Sequence, residues 1–152
     1  MKLILATDGT EASEGAVHIL SKLDLTRVSE IRVLTVIDMA LPLAHDIYSG
    51  MITNTVEIEE AARKEAKKSI AETISRISAL IGEAGTQVTS NTVVGSPESQ
   101  IVEEAEKMGA DLIVVGSHGY NRWERLLLGS VSDSVIHHAP CSVLVVRTKV
   151  DE

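Results

Sequence analysis

Five short apolar runs recur along the chain, separated by stretches with helical spacing, and this alternation limits the possible folds more than any other feature. Lys2–Thr7 (KLILAT), Ile31–Ile37 (IRVLTVI), Gln87–Val94 (QVTSNTVV), Asp111–Val115 (DLIVV) and Ser142–Val146 (SVLVV) are the strand candidates. After the first run, Asp8-Gly9-Thr10 makes a turn and helix cap. A helix follows with Ala12, Ala16, Ile19, Leu20 and Leu23 on one face. A long helix is predicted over Thr53–Ile81, its stripe made of Val56, Ala62, Ala66, Ile70, Ile74, Ile77 and Ile81, with Gly82 and Gly85 ending it. Ser96 fits an N-cap, Pro97 the first helical position and Gly109 a C-cap. The last helix spans Ser130 to His138 and stops before Pro140. Strands joined through helices pair in parallel. The expectation is an open, doubly wound five-stranded parallel sheet, strand order 3-2-1-4-5, with helices on both faces. After its first residue DLIVV is a continuous apolar run, as a central strand requires, while QVTSNTVV carries alternating polar residues like an edge strand with one wet face.

Composition narrows the partners. The chain has 152 residues, enough for one domain (residues 1–152) with a normal core, and with no Phe, one Trp and two Tyr that core must be aliphatic. A formal charge of −8, from 22 acids against 14 bases, argues against nucleic acid or an anionic membrane as partner. A small anion stays possible, because helix N-termini bind one without basic residues. Cys141 is the single cysteine, so no intrachain disulfide forms and a reducing compartment is expected. The opening MKLILATDG is too short in apolar residues for a signal peptide, and no run reaches the roughly 20 residues of a membrane helix. The expected location is the cytoplasm.

In such sheets a ligand sits beyond the strand carboxyl ends, where strand order reverses. If strands one and four are neighbours, Asp8 and the Val115-Gly116-Ser117 end face one crevice. There the stretch VVGSHGYNRWERLLLGS, Val114 to Ser130, places Gly116, Gly119, Gly129 and Ser130 at the spacing G-x2-G-x9-G-[ST]. Glycines let backbone approach a bulky ligand and permit positive φ. Ser130 opens the last helix, so the free amides of Val131 and Ser132 point at the crevice, where the helix dipole favours an anion. The hydroxyls of Ser130 and Ser132 can add hydrogen bonds to phosphate oxygens, and Arg122 or Arg125 can approach them. The string is not a Walker loop, which needs G-x4-G-K-[ST], and TDGTEASEG lacks the dinucleotide G-x-G-x-x-G.

With this motif in place, the chain resembles the ATP-binding members of the universal stress protein family. The resemblance runs through ATDGTEASEGA, LTVID, VVGSPESQIVEEA, GADLIVVGSHG and RLLLGSVSDSVIHHAPCSVLVVR. It implies that Ala6, Thr7 and Asp8 flank the nucleoside and that Val36 lends main-chain groups to the adenine edge. It also places Gly116 by the ribose, and Gly119, Gly129, Ser130, Val131 and Ser132 on the phosphates, with Val115 among the nucleotide-binding residues. Asp8 would repel a bare triphosphate, so its expected place is near base or ribose, or reaching a Mg²⁺ or Mn²⁺ ion brought with ATP. The resemblance further implies a homodimer through Ser142–Val146, whose apolar edge invites pairing. A protein partner reading the ATP-loaded state, its identity unknown, completes the picture.

Each residue also has a plainer role open to it. Any one of these glycines is an ordinary turn residue, Asp8 can simply cap the first helix, and Thr10 is read as a plain cap. His118, inside the glycine pair, faces either ligand or solvent. His137 and His138 suit the negative end of the last helix, Trp123 reads as loop packing or partner contact, and Asp38–Gly50 reads as a loop. No residue resembles a general base over a γ-phosphate, so hydrolysis is expected to be slow or partner-dependent. Two other classes stand beside nucleotide binding. One is a nucleotide-free interaction module, which would lose the glycines. The other is a nucleotidyl-transfer enzyme, for which H-x-G-H and S-G-G-x-D-S are absent.

Overall fold

The computed structural model describes residues 1–9, 11–39, 55–82, 85–117 and 128–147. Its elements in chain order are β1 (Lys2–Ala6), α1 (Glu11–Leu20), a 3-10 turn (Leu25–Arg27), β2 (Glu30–Ile37), α2 (Thr55–Ile81) and β3 (Gln87–Val94). Then come α3 (Pro97–Met108), β4 (Leu112–Gly116), α4 (Ser130–His138) and β5 (Ser142–Val146). The five strands form one parallel sheet in the order β3-β2-β1-β4-β5. The expected architecture and strand order are therefore observed.

Strand alternation sends side chains to two separate aliphatic cores. Leu3, Leu5, Ile31, Val33 and Val114 pack with Ala16, Val17 and Leu20 of α1 and Ile70 and Ile77 of α2. Ile4, Leu34, Ile113 and Val115 pack with Ile101, Ala105 and Met108 of α3 and Val135 of α4. β4 is buried on both sides, which is why it could be apolar without a break. At its start the Asp111 carboxylate accepts the Lys2 amide at 2.7 Å while the Asp111 amide donates to the Lys2 carbonyl at 2.9 Å. This pair fixes the β1–β4 register at the end remote from the crevice.

Two expected core positions are exposed instead. Leu23 is 39% exposed because α1 ends at Leu20 and Leu23 falls in the turn behind it. Val56 is 60% exposed because α2 outruns the sheet. Its 27 residues span about 40 Å, whereas the eight residues of β2 span about 26 Å. Burial on α2 begins only at Ala66, so its first turns stand beside the strand carboxyl ends rather than on the sheet. Ala12 and Thr53 lie outside the described side chains and residues.

On the α3 side, β2 carries a half-buried charge. Arg32 donates to Glu104 of α3 at 2.9 Å, to Glu30 at 2.8 Å and to Thr89 of β3 at 3.2 Å. Thr89 also donates to Glu30 at 2.9 Å, and Asn91 to Glu104 at 3.2 Å. Burial raises the Glu30 carboxyl, but the bonds from Thr89 and Arg32 outweigh it and hold Glu30 below its ordinary value of 4.5. The Ser96 hydroxyl holds Glu98 down in the same sense.

Close approach governs the β1–α1 turn. Gly9 has φ +77°, and a Cβ there would stand 2.7 Å from Oγ of Ser69 on α2. Only glycine lets the turn lie against that helix.

Three outcomes follow. Arg32→Met leaves Glu104 buried without its cation and should cost about 2–3 kcal/mol in urea unfolding. Because the folded pKa of Glu30 is depressed, its stabilisation is complete above pH 4.5 and disappears as pH falls through the lower folded value. Glu30→Gln should flatten that acid limb. Gly9→Ala should lose about 1–2 kcal/mol, part of it regained with Ser69→Ala, which removes the nearest atom but not the φ strain.

Candidate functional site

β1 and β4 are neighbours, α1 leaves β1 toward one face of the sheet and α4 returns from β4 on the other. A crevice therefore opens between them over the strand carboxyl ends. Thr7 continues the β1 ladder by one bond, its amide donating to Leu34 at 2.9 Å. Its hydroxyl accepts the Gly9 amide at 3.2 Å, which folds the turn carrying Asp8 back over the end of the strand. Val36 lies beside this point on β2, paired with Val93 of β3.

On the β4 side, Gly116 pairs with Val146 as the last residue of the strand. The Ser117 amide then donates to the Val146 carbonyl at 2.8 Å, and the Ser117 carbonyl accepts the Gly129 amide at 2.8 Å. The two ends of the glycine-bearing segment are thus held in direct contact, and α4 starts at the mouth of β4. Gly129 is the N-cap, with φ −63° and ψ 148°. Its carbonyl accepts the Asp133 amide at 2.9 Å, the first bond of the helix. The amides of Ser130, Val131 and Ser132 have no acceptor inside the helix, and the positive end of its dipole lies with them.

The structure refines the roles of two residues. Gly129 needs no left-handed backbone, so its value is the missing side chain at a cap where no side chain bonds the helix. Ser132 is 2% exposed and its hydroxyl donates to the Gly129 carbonyl at 2.9 Å, with Ser117 O at 3.5 Å. Its hydroxyl ties the helix start in place, and its amide is the group turned to the open end.

Ala6, Thr7, Asp8, Val36, Val115, Gly116, Gly129, Ser130, Val131 and Ser132 all sit at the carboxyl ends of the three adjacent strands β2, β1 and β4, or at the start of α4. His118, Gly119, Arg122, Trp123 and Arg125 lie outside the described residues, as do Thr10 and residues 40–50. Among the described residues no group of three or more His, Cys, Asp or Glu could hold a metal ion. Nor is any described helix long and apolar enough to cross a membrane.

His137 and His138 close α4 with Nδ1 at 2.8 Å from the carbonyls of Asp133 and Ser134, one turn back in the same helix. Cys141 packs against the α3–α4 core, and burial pushes its thiol up. One feature had no sequence signal: Thr35 on β2 is buried with its hydroxyl unpartnered. A lone threonine in an apolar strand gives nothing to distinguish it from a core residue.

The family model described as the universal stress protein family matches residues 1–147. A universal stress protein of Methanocaldococcus jannaschii is 30% identical over 154 residues, covering 97% of this chain and 95% of that protein. The solved structure of the same archaeal protein superposes with a TM-score of 0.81 at 29% identity, covering 99% of this chain and 97% of the other. A universal stress protein solved in complex with cAMP gives a TM-score of 0.66 at 25% identity, covering 98% of each chain. With this crevice and a match across nearly its whole length, the chain belongs to the universal stress protein family.

Proposed function

We infer that this protein binds an adenine nucleotide, ATP in particular, and acts in stress response or signalling through a partner that distinguishes its loaded from its empty form. The observation that carries the reading is the start of α4. Three amides without helical acceptors stand behind a side-chain-free cap, and the Ser117 bonds fasten them to the sheet beside β1. A polyphosphate meets those amides without any rearrangement of the backbone. The cAMP complex of a relative supports the ligand class.

Ser130, Val131 and Ser132 hold the phosphates with Gly119 and Gly129, while Gly116 lines the ribose and Val115, its side chain in the core, contributes main-chain groups beside it. His118 stands within the glycine pair, at the ligand or in solvent. Ala6, Thr7 and Asp8 flank the nucleoside, and Val36 offers main-chain groups to the base. Asp8 is the carboxylate that would reach a Mg²⁺ or Mn²⁺ ion brought with the triphosphate, and such an ion would supply charge neutralisation there. On this reading hydrolysis is slow or depends on a partner.

The cytoplasm is the compartment this reading requires, since ATP is its ligand. The second copy of the chain meets β5, an edge strand whose Val143, Leu144 and Val145 are only partly covered.

Ser130→Pro tests the phosphate seat. Proline is tolerated at the first helical position, and Gly129 at ψ 148° already has the conformation a following proline needs. The variant removes one amide and one hydroxyl while leaving the helix. In equilibrium dialysis with ATP and Mg²⁺, binding by the parent and about tenfold weaker binding by the variant, with unchanged circular dichroism, are expected. A parent that binds no nucleotide at millimolar concentration contradicts the reading. Light scattering at micromolar protein should give roughly twice the 16.3 kDa chain mass; a monomer would remove the β5 interface.

A further inference from the structure

Thr35 is a polar residue in an aliphatic strand, only 6% exposed. Its Oγ1 is the one fully buried side-chain nitrogen or oxygen among the described residues that has no hydrogen-bond partner. A buried hydroxyl without a partner is costly, and folded proteins rarely keep one. Valine has the same shape and would pack there at no such cost, so the hydroxyl calls for an explanation.

Sheet register supplies one. Thr35 pairs with Thr92 of β3, and the β1–β2 ladder, continued one residue past Ala6 and Leu34, brings Thr7 to its other side. Two steps along from the Leu5–Val114 pair, the same row reaches Gly116 and then Val146. Thr35 shares the strand parity of Ile31 and Val33, which places it on the α1–α2 face. Thr92, Thr35, Thr7 and Gly116 thus form one row across the carboxyl end of the sheet, three hydroxyls followed by a gap. Neighbouring strands lie about 4.8 Å apart. The Thr35 hydroxyl bonds neither neighbouring threonine, and a single water between Thr35 and Thr7 can bond both. The row lies directly below the turn that Thr7 and Gly9 make against Ser69 of α2. It is therefore at the nucleoside side of the crevice, two strands from the α4 start.

We propose that Thr35 is a further binding residue of this crevice: its hydroxyl, through a water seated between it and Thr7, hydrogen-bonds the base or sugar of the bound nucleotide. The inference rests on the nucleotide reading and adds to it a residue that recognises the nucleoside rather than the phosphates.

Three proteins test it: the parent, Thr35→Val and Thr35→Ser. Affinities for ATP and AMP are measured by calorimetry, and unfolding midpoints are measured without nucleotide. Thr35→Val should bind both nucleotides about five- to tenfold more weakly, by equal factors, because the contact is to the part they share. Its midpoint without nucleotide should be equal to or above that of the parent. Thr35→Ser, which keeps the hydroxyl, should recover most of the affinity. Parent-like binding by Thr35→Val overturns the inference and leaves nucleotide binding standing. So does a loss of affinity accompanied by a lowered midpoint, which marks a packing role. A parent that binds neither nucleotide overturns both.

Discussion

Where α4 begins is settled by Ser117. Its amide bonds the end of β5 and its carbonyl bonds Gly129, so a single residue at the exit of β4 holds both the edge strand and the last helix. A helix N-terminus attracts anions only if its amides are left open and its position is fixed. Gly129 and the inward Ser132 hydroxyl meet the first condition by capping the helix without a side chain across its mouth. The Ser117 bonds meet the second. The crevice is thus made by backbone groups, so the proposed phosphate seat needs no basic side chain in a protein with 22 acidic and 14 basic residues.

The rest of the molecule keeps that arrangement rigid. Two aliphatic cores grip the sheet from both faces, and the Arg32 cluster joins β2, β3 and α3 at a distance from the strand carboxyl ends. Polar groups are therefore of two kinds. Those around Arg32 satisfy one another and stabilise the fold. Those at the carboxyl ends are left partly unsatisfied, in the α4 amides and in Thr35. Unmet hydrogen-bonding capacity gathered at the topological switch point is what a ligand site requires.

Much of this was legible in the residues. DLIVV had to be central because Leu112–Val115 is apolar without a break, and QVTSNTVV had to be an edge because polar residues recur along it. Pro97, Gly109 and Pro140 punctuate their helices through fixed φ, left-handed φ and a missing amide, effects that act within a few residues. The boundaries of α4, β3 and β5 were predictable for that reason. Val56 was misplaced because periodicity reports a helix's apolar face and says nothing of where the opposing sheet stops. Leu23 failed because no sequence signal marks the end of α1. The Thr7–Thr35–Thr92 row escaped notice because it joins residues from three strands, and only register reveals it. Membership of the universal stress protein family was visible because its motif is local. The buried row beneath the motif was not.

Backbone amide resonances followed during titration with Mg·ATP test the central claim most directly. The account predicts that the signals of Ser130, Val131 and Ser132 shift together and saturate at one nucleotide per chain, with Gly116 and Thr7 following the same curve. Saturable binding that leaves the three α4 amides unmoved would place the phosphates elsewhere and contradict the account.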